Sequence, residues 1–168
     1  MIRDLINKLN GVSDKIKKVH EIVNQVVSDN SDVLLSLNRD QMLLGRNSDG
    51  DELGPNYLQD PYFKSREAAE RYARMKYALE PSHVGLIWNP QLFPDKSKDT
   101  PNLIVTGSFQ DAMFISVSGG KYNIGSTYVD ASDISQKYNN KVFGLAPQSK
   151  EYFYRQWILP ELLKVLNL

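Results

Sequence analysis

The sequence has no cysteine and only two histidines. Without cysteine there is no disulfide framework and no thiolate metal site. That absence suits a reducing cytoplasm. His20 and His83 stand far apart, with no carboxylate spacing around either, so each reads as a surface or packed residue rather than a ligand. Net charge is absent too, because 20 Lys and Arg balance 20 Asp and Glu. A neutral chain has no global field to collect nucleic acid, and no specific nucleic-acid partner is expected. No apolar run approaches the roughly eighteen residues of a membrane span. The N-terminus, Met1-Ile2-Arg3-Asp4-Leu5-Ile6, alternates charged and apolar residues and lacks the continuous apolar core of a secretory signal. The expectation is a protein without a membrane partner, intracellular or built into a particle.

What is present fits one domain, since 168 residues can bury a sizeable core without disulfides or metals. The organising stretch is Leu103-Ile104-Val105-Thr106-Gly107-Ser108-Phe109-Gln110-Asp111-Ala112-Met113. Its β-branched start favours a strand-like entry. Thr106-Gly107 breaks that run, and glycine tolerates the positive φ of a sharp corner. Phe109, Ala112 and Met113 then share one face of a helical turn. Phe114 to Val117 and Tyr122 to Ser126 flank Ser118-Gly119-Gly120-Lys121, which predicts a β-hairpin.

Upstream, Ile2, Leu5, Ile6, Leu9, Ile16, Val19, Val23, Val26 and Val27 follow helical spacing, weakened at Gly11. Lys15, Lys17 and Lys18 read as a solvated helix face. Ser28-Asp29-Asn30-Ser31 interrupts the pattern, which resumes with Val33, Leu34, Leu37 and Leu44. Asn30 or Ser31 is a candidate cap, and two helices or one long bent helix both fit. Gly45 to Pro55 is turn chemistry with an Asp49-Gly50 turn. Its carboxylates, Asp49, Asp51 and Glu52, do not make an EF-hand. With Gly50 at the sixth loop position, Gly45 and Asn56 fall where the first and last carboxylates belong. Ser65 is placed to cap a helix to about residue 79 or 80, with Ala69, Tyr72, Ala73 and Lys76 along one side. Tyr72, Met75 and Tyr77 read as core packing or, alternatively, as a contact face. Residues 81–101 hold four prolines and little periodicity, with one short candidate strand, His83 to Trp88. That segment is expected to be the most mobile interior part. After the hairpin come a short helix near 130–138 ending at Asn139-Asn140, and an apolar segment, Lys141 to Pro147. A C-terminal helix follows, opening at Gln148 or Ser149 and running to about Val165, with Pro160 expected to kink or break it. The class is α+β: N-terminal helices over 1–44, a loop-rich part with one helix over 45–101, and a small mainly antiparallel sheet with a C-terminal helix over 102–168.

The order of these features resembles the phage virion morphogenesis family, the tail-completion proteins of Mu- and P2-like tailed phages. The resemblance spans roughly residues 37–166. It rests on the helix end Gln41 to Gly45, the Asp49-Gly50 turn and the corner Thr106-Gly107-Ser108-Phe109. It continues through the hairpin end Ile124-Gly125-Ser126 and the segment Phe143-Gly144-Leu145 before the last helix. It implies a structural protein, without catalysis or cofactor, that joins tail to head, often as a ring. The implied partners are further copies of itself and phage tail or neck proteins. The implied location is the host cytoplasm during assembly and then the virion. Candidate interface residues are the aromatics Tyr57, Tyr62 and Phe63, and the hairpin positions Ser116 and Asn123, since a small sheet leaves edges open to pairing. Two other readings compete. One is an intracellular protein-binding or regulatory module using the same aromatics. The other is a metal-dependent hydrolase using Asp49, Asp51 or Glu52.

Overall fold

A computed structural model describes residues 2–79, 92–118 and 121–166. The fold is α+β. Helix α1 spans Ile2–Asp29 and runs unbroken through Gly11. Helix α2, Ser31–Leu43, follows after the single residue Asn30. Asn30 occupies the N-cap position, yet its side-chain amide donates back to the Val26 carbonyl at 2.8 Å. It therefore closes α1 rather than capping α2.

Helix α3, Arg66–Leu79, starts as its capping residue requires, with the Ser65 hydroxyl accepting the Ala68 N–H at 3.2 Å. Helix α4, Ser108–Asp111, is one turn after Gly107, whose φ is 89°. Strands β1, Met113–Ser118, and β2, Lys121–Ser126, form the antiparallel hairpin, with Ile115 opposite Ile124 and Ser116 opposite Asn123. The tip of that turn, 119–120, lies outside the described residues. Helix α5, Ala131–Lys137, ends at Asn139 and Asn140, both with positive φ, 56° and 57°.

The C-terminal helical run changes type just before Pro160. Helix α6, Pro147–Phe153, passes into one π turn, Tyr154–Ile158, and then into α7, Leu159–Leu166. Pro160 lacks an N–H and crowds the carbonyl four residues back, so widening the preceding turn lets the helix continue.

Two apolar clusters build the core, and α2 lies between them. Leu35 and Met42 face the first, with Phe109, Met113, Tyr138 and Val142. Leu34 and Leu37 face the second, with Val26, Val27, Leu145 and Phe153. Leu37 is fully buried, and cutting such a residue to alanine costs about 2–5 kcal/mol.

One expectation is corrected. Leu103-Ile104-Val105 is not a strand. Leu103 is left-handed at φ 56°, and the Asn102 side chain accepts the Ile104 N–H at 3.1 Å. Gln110 holds the turned segment by donating to the Leu103 carbonyl at 3.0 Å. Within the described part of the proline-rich segment, Phe93, Thr100 and Pro101 are buried, whereas Pro94, Asp95, Ser97 and Lys98 are exposed. Thr100 and Pro101 lie against Gly45, where a Cβ would meet Thr100 Cγ2 at 2.5 Å. Residues 80–91, which include His83 to Trp88, lie outside the described residues.

Candidate functional site

The motif residues meet around two buried amides of α2. Asn38 and Gln41 lie one turn apart and are both 0% exposed. Asn38 Nδ2 donates to the carbonyls of Val142 at 3.2 Å and Gly144 at 3.1 Å, and its Oδ1 accepts the Gly144 N–H at 3.3 Å. Gln41 Nε2 donates to Asn47 at 2.9 Å and Gly144 at 3.0 Å, and its Oε1 accepts the Ala146 N–H at 2.7 Å. Buried amides impose high cost when unpaired, so this arrangement locks segment 142–146 onto α2.

The Asp-Gly turn closes the other side. Asn47 Oδ1 accepts the N–H groups of Asp49 and Asp51, and Gly50 takes φ 92°. The Ser48 N–H donates to the Lys141 carbonyl at 2.8 Å, and Asp49 pairs with Lys141 Nζ at 2.6 Å. Gly144, at φ 110°, sits against Ser48. The Phe143 ring lies tilted against Phe109 at 5.7 Å, which links the clamp to the Thr106-Gly107 corner. Leu145 fills the second cluster. Thr106 is exposed and accepts the Ser108 N–H at 3.3 Å. Asp49, Gly50, Phe143 and Gly144 thus meet around the 141–144 segment, Phe109 joins them through Phe143, Leu145 faces the other cluster, and Thr106 and Gly107 shape the corner before Phe109.

Two of that turn's carboxylates, those of Asp49 and Glu52, hold structure. Glu52 lies 3.5 Å from Arg46 and accepts the Thr100 hydroxyl at 3.1 Å. Among the described residues no three His, Cys, Asp or Glu side chains are grouped to hold a metal ion. No helix among them is long and apolar enough to cross a membrane.

The candidate aromatics come together elsewhere. Tyr57 packs edge-on to Tyr72 at 5.2 Å, and Phe63 touches Tyr72 at 5.1 Å and Tyr62 at 5.3 Å. They line an open cleft of about 340 Å³ with Leu103, Val105, Ile134 and Tyr138. At its base the buried Asp60 carboxylate pairs with Lys137 and accepts the Tyr62 N–H at 3.0 Å. Burial, reinforced by Asp60 and Tyr72, pushes the Tyr138 phenol well above the ordinary tyrosine range. Burial raises Tyr72 as well, with Tyr62 and Asp60 adding to it. Tyr62 is 80% exposed at the rim. Aromatic surface around a satisfied ion pair suits a protein side chain or segment.

Tyr72 thus joins the cleft, whereas Met75 and Tyr77 are exposed, and Lys98 lies 5.1 Å over the Tyr77 ring. Ser116 and Asn123 are exposed cross-strand partners on the outer hairpin face, and neither lines the cleft. Sequence reasoning missed Asn38, whose signal was an amide directly after Leu37 in the apolar stripe of α2. It also missed Asp60 and Lys137, which are 77 residues apart and carry no local signal.

Comparison with family models, with curated proteins and with solved structures finds no match to this chain.

Proposed function

We propose that this chain is a structural protein of a tailed phage or prophage particle, acting without catalysis in tail completion or head–tail joining. The observation that carries the reading is the convergence of the family-like motifs. The Asp49-Gly50 turn closes on the segment leading into Phe143-Gly144, and Phe109, two residues after the Gly107 corner, packs against Phe143, although these motifs are scattered through the sequence. Motifs that serve a common framework leave the outer surface free for partners. The aromatic cleft, with Tyr62 exposed at its rim, Phe63 half-buried and Tyr57 buried behind them, is the face for a tail or neck protein, and the hairpin face at Ser116 and Asn123 is a second contact.

The test is genetic and visual. A phage or prophage lacking this reading frame should yield filled heads and unjoined tails in electron micrographs of the lysate. Normal joined particles at wild-type yield overturn the proposal. The aromatic cleft alone also suits a smaller intracellular binding module. That reading predicts stable capture of a non-structural host protein by the wild type and its loss in Tyr62→Ala.

A further inference from the structure

The apolar positions Ile2, Leu5, Leu9, Val12, Ile16, Val19, Val23 and Val26 of α1 alternate in spacing between three and four. That is the 3.5-residue repeat of a coiled-coil seam, with Ile2, Leu9, Ile16 and Val23 at a and the others at d. The structure divides the seam in two. Val23 and Val26 pack in the second core cluster. Every residue from Asn10 to Lys18 is exposed, including Val12 at 55% and Ile16 at 54%. Gly11, at an outer position of the repeat, has nothing within 4 Å of where a Cβ would stand. Helix geometry makes the exposed stretch 10–18 an arm about 14 Å long.

We propose that this arm joins copies of the chain as a parallel coiled coil. The repeat itself points to a like helix as occupant, and the charged positions beside the seam set its direction. The g positions carry Lys8 and Lys15, and the e positions that follow carry Ser13 and His20. A parallel copy in register sets Lys8 against Ser13 and Lys15 against His20. An antiparallel copy sets lysine against lysine, which is unfavourable. The β-branched residues at both a and d, Ile16 with Val12 and Val19, suit a coil of three or more strands over a pair. An arm rooted in the core at Val23 and Val26 then holds its domains at a fixed distance from the coil axis. The inference stands apart from the head–tail reading, since a coiled-coil arm serves any oligomer.

Light scattering of the full chain at tens of micromolar tests it. The wild type should show a mass at least twice the 19.1 kDa of one chain. The double variant Val12→Asp/Ile16→Asp should be monomeric with the same urea transition as the wild-type domain. A monomeric wild type, or a double variant that keeps the oligomer mass, overturns the proposal. Because the chain has no cysteine, Val12→Cys gives a single reporter thiol. In a parallel coil the thiols of neighbouring copies face each other, and mild oxidation should yield a cross-linked band on a non-reducing gel. Absence of that band at concentrations where the oligomer forms overturns the parallel arrangement.

Discussion

Gln41 and Ala146, separated by 105 residues, are joined by a 2.7 Å hydrogen bond between a fully buried amide oxygen and a buried backbone N–H. Replacing Gln41 by Leu strands that N–H and weakens the hold on the Gly144 and Asn47 carbonyls. The expected loss is about 2–3 kcal/mol in urea unfolding, the range for buried groups left unpaired. Asn38→Leu should behave alike. Because both amides bond Gly144, the double variant should lose less than the sum. Additive losses would mean the two amides act independently.

This clamp also marks where the sequence stops being informative. The helices α1 and α3, the hairpin and the Asn139-Asn140 stop were legible because periodicity, caps and turn residues act locally. Asn38 and Gln41 look like ordinary polar helix residues, and only carbonyls a hundred residues away make them buried. Leu103 to Val105 has strand composition, yet Asn102 and Gln110 hold it in a turn. Thr100 and Pro101 sit in a stretch without periodicity and are buried because Gly45 leaves room for them. The aromatic candidates Tyr57, Tyr62 and Phe63 did cluster, but through Tyr72 and around an Asp60–Lys137 pair that no local pattern reveals.

Glycine contrasts give a second prediction. Gly45 has φ 65°, and a Cβ there would meet Thr100 Cγ2 at 2.5 Å and the Pro101 carbonyl at 2.9 Å. Gly45→Ala should lose about 1–3 kcal/mol from backbone strain, and more from the clash. Gly11→Ala, in open space within α1, should raise helix content, with a gain of up to about 1 kcal/mol. Circular dichroism and urea melts of the two variants should move in opposite directions.

The buried phenols set the alkaline limit. Tyr138 ionises above its unfolded value because burial and Asp60 disfavour the phenolate. Its contribution is therefore whole below the unfolded pKa of about 10, and it is lost as pH rises through the folded value. Stability should fall above about pH 10, and Tyr138→Phe should flatten that fall. Absorbance titration at alkaline pH should lose its latest step in the same variant. An unchanged titration would remove Tyr138 from this role.

Surface contacts should separate binding from folding. Tyr62→Ala at the cleft rim, and Ser116→Lys or Asn123→Lys on the hairpin, replace exposed side chains and should leave stability within about 0.5 kcal/mol. Each should weaken association with tail components, the aromatic most, since anchors of this kind dominate interfaces. Unchanged association in the lysine variants would exclude the hairpin face as a contact.

The most direct measurement is to add the purified, gold-labelled chain to isolated tails from a phage that lacks it, and to locate the label by electron microscopy. The account predicts label at the head-proximal end of the tail, with those tails then competent to join filled heads. Label scattered along the tail or absent from it, with joining unaffected, would contradict the account.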